Sequence, residues 1–279
     1  MADGRPTEAA LERSDALDDM DSLEILRLIH SEDQVAHSAV GEVLSQMAEA
    51  VETLTCALSG GGRWFNVGAG TSGRLGVLDA SEIPPTYGLS PRVVQGVIAG
   101  GDRALRAAVE NAEDDVEAAS LELQERGLEL GDVVLGISAS GTTPFVLGAI
   151  DAAIAVGART IAITCDPGSP LAESVEISIA PRVGAEVVTG STRMKGGLAQ
   201  KMILSALSTS VMVRMGRVRG NHMTHISPAS SKLRGRAVRI VMELGKVDRA
   251  RAREILRSTE GSVEMALEIL DAERSTEST

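Results

Sequence analysis

Aromatic residues are nearly absent: Trp64, Phe65, Tyr87 and Phe145 are the whole set in 279 residues. The core must be assembled from Ala, Val, Leu and Ile, and no stacking platform for nucleic-acid bases exists. Basic residues are in deficit, 27 against 39 acidic, for a formal net charge of -12. That balance argues against nucleic acid and anionic membrane as partners, because both demand basic surface. No apolar run is long enough to span a bilayer. Residues 1–8 lack the apolar stretch of a secretory leader, so the chain is expected in the cytoplasm. Cysteine is scarce too. Cys56 and Cys165 lie far apart in apolar-periodic contexts, which predicts two buried free thiols in a reducing compartment. His30, His37, His222 and His225 show no ligand spacing with Cys or acid clusters; His222 and His225 could share a helix face but lack further ligands, so no metal site is predicted.

What the chain does have is alternation. Apolar runs at 64–67, 92–98, 132–137, 159–164 and 175–180 are separated by helical patterns near 72–82, 102–126, 145–156 and 168–174. This order predicts an α/β fold, a doubly wound five-stranded parallel sheet with ligands at the carboxyl ends of its strands. Ahead of it lie a polar, acidic arm over about 1–20 that wraps another surface, a helix capped by Ser22 and stopping near Ser31-Glu32-Asp33, and a second helix over 36–58 closed by Gly60-Gly61-Gly62. Beyond it come a long helix over 192–215, a helix through Val238 and Leu244, and a helical pair over 248–270. The regions are therefore 1–58, arm and helices; 59–216, the α/β domain; and 217–279, a small helical appendage.

Three loops concentrate hydrogen-bond donors. After the first strand, Gly68-Ala69-Gly70-Thr71-Ser72-Gly73 opens a helix, where glycines let backbone N–H groups approach an anion and Thr71 and Ser72 add hydroxyls. The helix carries Glu82 beside Pro84-Pro85, which are expected to end it. The glycine spacing also spells a dinucleotide fingerprint, but that site needs an acid at the end of the second strand, and Val93–Ile98 runs into Ala99-Gly100-Gly101. After the third strand, Ser138-Ala139-Ser140-Gly141-Thr142-Thr143 sets four hydroxyls before a helix, a neutral-donor phosphate site. A hydrolase elbow is a weaker reading, since Gly136-x-Ser138-x-Ser140 lacks the second glycine. The third loop runs from Glu186 through Ser191, Arg193 and Lys195. Its cations sit where a helix dipole disfavours them, so an anion must compensate, either a ligand or Glu186 itself. Glu110, Asp114 and Asp115, on the predicted helix over 102–126, read as a solvated face.

With these loops in place, the chain resembles the N-acetylmuramic acid 6-phosphate etherases of the sugar isomerase (SIS) domain superfamily. The resemblance is carried by the run from Gly68 through Glu82-Ile83-Pro84-Pro85-Thr86, by Ile98-Ala99-Gly100-Gly101, Ala112-Glu113-Asp114 and Gly136-Ile137-Ser138-Ala139-Ser140-Gly141, and by Glu186 to Lys195. It implies an SIS-type fold, a homodimer, and cofactor-independent cleavage of the D-lactyl ether to N-acetylglucosamine 6-phosphate and D-lactate, a step in amino-sugar catabolism and cell-wall recycling. It implies Glu82 as the acid at the leaving oxygen and Glu113 as the second acid/base. The candidate contacts to the 6-phosphosugar are Gly70, Thr71, Ser72, Ser138, Ser140, Thr142, Thr143, Ser191 and Lys195. Glu82 lies ten residues beyond Ser72, roughly 15 Å along a helix, so the phosphate is expected on the Ser138 loop with the sugar beside the Thr71–Glu82 helix.

The chain departs from the family pattern at Leu11, where an asparagine is common, at Thr142, where arginine is usual, at His225, where aspartate is usual, and at Ser230, where an asparagine tends to stand. Such polar changes in loops and arms bear on specificity. A lyase or isomerase acting on another 6-phosphosugar, or a non-catalytic sugar-phosphate sensor like the glucokinase regulatory proteins, are the alternatives.

Overall fold

Asp21, rather than Ser22, starts the first long helix. In the computed structural model, which describes residues 5–226 and 231–277, Asp21 Oδ1 accepts from the backbone N–H groups of Leu23 and Glu24 at 2.8 and 2.9 Å, and Glu24 reaches back to the Asp21 N–H. This reciprocal cap is stronger than a lone serine. Helix α1, Ser22–Gly41, then continues through Ser31-Glu32-Asp33, where the sequence predicted a stop. The run is tolerated because the Glu32 carboxylate is buried against cations rather than solvated. Helix α2 is Leu44–Ser59, closed at Gly60 as expected. The preceding arm folds into three short 3-10 turns between Pro6 and Asp19.

The sheet follows the predicted alternation. Strand β1 is Trp64–Gly68, leading to α3, Gly70–Tyr87; β2 is Val94–Ile98, followed by α4, Gly101–Ala104, and α5, Val116–Glu125. Then come β3, Val133–Ile137, α6, Pro144–Val156, β4, Arg159–Ile163, α7, Pro170–Ser174, and β5, Ile177–Ile179. The order is β2-β1-β3-β4-β5 and all pairings are parallel, with Trp64 opposite Val94 on one side and Val133 on the other. The chain leaves β1 in one direction and returns as β3 on its far side. The switch point therefore falls between these strands, flanked by the loops after β1 and β3. Helices α5 and α6 bury one face of the sheet with Leu123, Phe145, Val146 and Ile150 against Phe65, Val67 and Val134, and α2 packs against β1 and β5. At the head of α3 a Cβ on Gly73 would lie 2.6 Å from the Gly68 carbonyl oxygen. Glycine is what lets α3 start against the strand.

Two helix predictions need correction. The pattern over 102–126 is not one helix: Asn111 takes a left-handed φ of 60°, a 3-10 turn forms at Ala112–Asp114, and α5 begins only at Val116. Asp115, exposed as expected, also caps α5 by accepting from the N–H groups of Glu117 and Ala118. Pro84 and Pro85 do not end α3 at once: the helix runs on to Tyr87, two residues beyond them. Gly88 N–H closes the last turn on the Pro84 carbonyl at 2.9 Å.

Helix α8, Lys195–Arg214, is followed by β6, Val218–Arg219, β7, His222–Met223, α9, Ser231–Gly245, α10, Arg249–Ser258, and α11, Val263–Glu277. The chain divides into two compact units: residues 1–81 with 92–211, and 82–91 with 212–279. In the second unit α9, α10 and α11 share a core of Ile240, Val241, Ile255, Leu256, Leu267 and Leu270. The Tyr87 carbonyl accepts from Arg217 Nη1 there at 3.2 Å. His222 and His225 share no helix; their rings pair with Glu243 at 3.3 Å and Glu264 at 2.6 Å. Ser230 lies outside the described residues. Both cysteines are free, as expected, but only Cys165 is buried and Cys56 is exposed.

Candidate functional site

The loops after β1 and β3 line one cleft of about 470 Å³ in the first unit, at the carboxyl ends of the strands. Its walls include Gly70, Thr71 and Ser72 from the start of α3, Ser138, Ser140, Thr142 and Thr143 before α6, and Glu113 with Asp114 from the 3-10 turn. That volume suits a phosphorylated hexose, for which clefts of about 300–1,000 Å³ are ordinary.

The Ser138 loop is an ordered hydroxyl network. Ser138 Oγ lies 2.7 Å from Thr143 Oγ1 and accepts from the Gly141 N–H at 3.1 Å. Ser140 Oγ lies 3.0 Å from Thr142 Oγ1. Gly141 makes this possible: its φ is 66°, and a Cβ there would fall 2.0 Å from Ser169 Oγ. The 13-residue helix α6 begins directly after the loop, with Pro144 in its first turn. Proline costs nothing there because its missing N–H would have been unpaired. A helix N-terminus faced by hydroxyls that reorient freely is a site for an oxyanion.

Thr71 opens into the cleft, whereas Ser72, which also lines it, gives its hydroxyl proton to Gln200 at 2.9 Å. Glu113 is exposed and lines the cleft. Glu82 belongs to the second unit, exposed near the carboxyl end of α3.

The third donor loop serves the interior. Lys195 is 2% exposed, and its ammonium reaches Glu32 Oε2 at 2.5 Å; Glu32 Oε1 accepts from Arg13 at 3.0 Å. Glu186, 1% exposed, caps α8 by accepting from the backbone N–H groups of Lys195 and Gly196 at 3.0 and 2.9 Å. The anion that compensates the Lys195 ammonium is neither of the two foreseen: Glu32 takes it, and Glu186 takes the N–H groups at the helix start instead. Lys195 and Ser191 are therefore absent from the cleft wall, which this loop lines through Gly190 and Thr192 instead. Sequence reasoning also missed Arg5 and Glu8 of the arm, which line the cleft. No local motif marks them, because only the fold of the arm brings them there.

The comparisons with known proteins agree on the fold. Residues 46–154 match the glucokinase regulatory protein N-terminal SIS domain family and residues 115–210 match the SIS domain family. Among solved structures, a phosphoheptose isomerase from Francisella tularensis superposes with a TM-score of 0.52 at 20% identity, over 70% of this chain and 100% of that one. The phosphoheptose isomerase GmhA from Neisseria gonorrhoeae gives 0.51 at 20%, over 68% and 98%. Sequence relatives are far nearer. The N-acetylmuramic acid 6-phosphate etherase of Edwardsiella ictaluri is 48% identical over 95% of this chain and 88% of its own length, and that of Jannaschia sp. is 48% identical over 94% and 83%. Identity at this level across both units places the chain: it belongs to the N-acetylmuramic acid 6-phosphate etherase family.

Proposed function

We propose that this protein cleaves the D-lactyl ether of N-acetylmuramic acid 6-phosphate, releasing D-lactate and N-acetylglucosamine 6-phosphate. One observation carries the reading: 48% identity to a named etherase over 95% of the chain. The cleft chemistry supports it. The Ser138 loop and the start of α6 hold the phosphate, and the sugar lies beside the Thr71–Glu82 helix. In its open-chain form the sugar has an aldehyde that acidifies the C2 proton. A carboxylate takes that proton while a carboxylic acid protonates the C3 oxygen, so the C2–H and C3–O bonds break, a C2=C3 double bond forms and lactate leaves. Water then adds, hydroxyl to C3 and proton to C2. Glu82 is assigned to the leaving oxygen and Glu113 to the second acid/base role; both side chains are exposed. No step in this sequence calls for a redox cofactor or metal. The protein acts in the cytoplasm as a homodimer, and the exposed Leu23 and Leu26 of α1 offer apolar surface to a second copy.

The deciding experiment follows turnover of N-acetylmuramic acid 6-phosphate in heavy-oxygen water. D-lactate release with label at C3 is expected. Tight binding of the substrate with no lactate released would replace the etherase by a sensor.

A further inference from the structure

The cleft has a charge problem. A 6-phosphosugar brings about two negative charges at neutral pH, the chain already carries -12, and Glu8, Glu113 and Asp114 all line the wall. The Ser138 loop answers with neutral hydroxyls. Among the described residues lining the cleft, Arg5 is the one base. Its Nη1 donates to Thr142 Oγ1 at 3.1 Å, which sets the guanidinium directly on the loop at the start of α6.

The arm that carries Arg5 is anchored on both sides of the mouth. Thr7 is buried at 2% exposure, and the Glu8 N–H closes a turn on the Arg5 carbonyl at 3.1 Å. Glu8 Oε2 lies 3.2 Å from where a Cβ on Gly190 would stand, so the arm spans from the Ser138 loop to the loop before α8. Farther along, Arg13 donates to Glu32 and to Ser31 at 3.0 Å each, fixing the arm on α1.

We propose that Arg5 is the cation that binds the 6-phosphate, delivered across the cleft mouth by the N-terminal arm. The proposal rests on the 6-phosphosugar reading of the cleft. A guanidinium presents a planar fork that matches phosphate oxygens two at a time, and such charge-assisted bonds are about twice as strong as neutral ones. The arm thereby becomes part of the substrate site, and a substrate without phosphate gains nothing from it.

The test is calorimetric titration of the full chain with N-acetylglucosamine 6-phosphate and with N-acetylglucosamine, for the parent, Arg5→Gln and Arg5→Lys. For Arg5→Gln we expect affinity for the phosphorylated sugar to fall about tenfold or more, its dependence on ionic strength to flatten, and KM to rise with kcat nearly unchanged. Arg5→Lys is expected to restore part of the loss. If the parent prefers the phosphorylated sugar and Arg5→Gln binds it equally well, the Arg5 assignment falls while the reading of the cleft stands. A loss that Arg5→Lys does not relieve, accompanied by a lowered melting temperature, would make Arg5 a structural residue and also overturn the proposal. A parent that does not distinguish the two sugars would overturn the cleft reading, and the inference with it.

Discussion

The loops before α6 and α8 look alike as sequence and have opposite fates. Each is rich in hydroxyls or charge and each leads into a helix. The loop before α6 keeps its donors at the cleft wall, where Ser138, Ser140, Thr142 and Thr143 bond mainly to one another. The loop before α8 spends its charges inside, on Glu186 capping the helix and Lys195 against Glu32. The lesson is physical. A neutral hydroxyl can stand at a cleft wall unliganded at little cost because water serves it, whereas a buried ammonium must have a fixed counter-charge or it ruins the fold. Full charges in a loop are thus weaker pointers to a ligand than neutral donors at a helix start.

The sharpest way to break this comparison is Lys195→Met, which strands the buried Glu32 carboxylate. It is expected to cost about 3–5 kcal/mol of stability in a urea melt; a loss under about 1 kcal/mol would return Lys195 to the list of ligand contacts. Next in size is Glu113→Gln at the cleft wall. Turnover is expected to drop about a hundredfold with an unchanged melting curve, and near-parental rates would remove Glu113 from the chemistry. Gly141→Ala tests the frame of the hydroxyl loop, where the added methyl meets Ser169 at a left-handed φ. A cost of about 1–3 kcal/mol in the thermal or urea midpoint is expected, together with weaker 6-phosphosugar binding. Ser140→Ala should barely move stability while losing about 0.5–1.5 kcal/mol of 6-phosphosugar affinity by titration.

The smallest effect is at Cys165, which lies near Glu186. Burial first, and the Glu186 charge second, push its thiol up to about 12. The folded protein therefore holds a proton that the unfolded chain releases at lower pH. Its contribution to stability is complete below the ordinary thiol pKa and is lost as pH rises from there toward about 12. Iodoacetamide at pH 8 is expected to label Cys56 and spare Cys165 by peptide mass mapping; equal labelling would mean that the interior behind the α8 loop opens.

Much of the fold was legible because its signals are local and repeated. Short apolar runs bounded by glycine turns marked all five strands, and the glycine and hydroxyl loops after β1 and β3 identified the cleft wall. The errors came where distant groups overrode local preference. Glu32 stays inside α1 because Lys195, 163 positions away, neutralises it. The helix expected over 102–126 stops at Ala104 and resumes only at Val116, and Glu113, in the 3-10 turn between, lines the cleft.

By itself, the sequence determined the class of sheet, the two donor-rich loops of the cleft and the family, since periodicity, glycine spacing and ordered motifs are properties of the chain alone. Tertiary structure decided which charges line the cleft. It drew Lys195 into the interior and brought Arg5 from the arm to the Ser138 loop, 137 positions away in sequence. Burial and pairing of charge depend on what the fold carries to each site, and no local pattern encodes that.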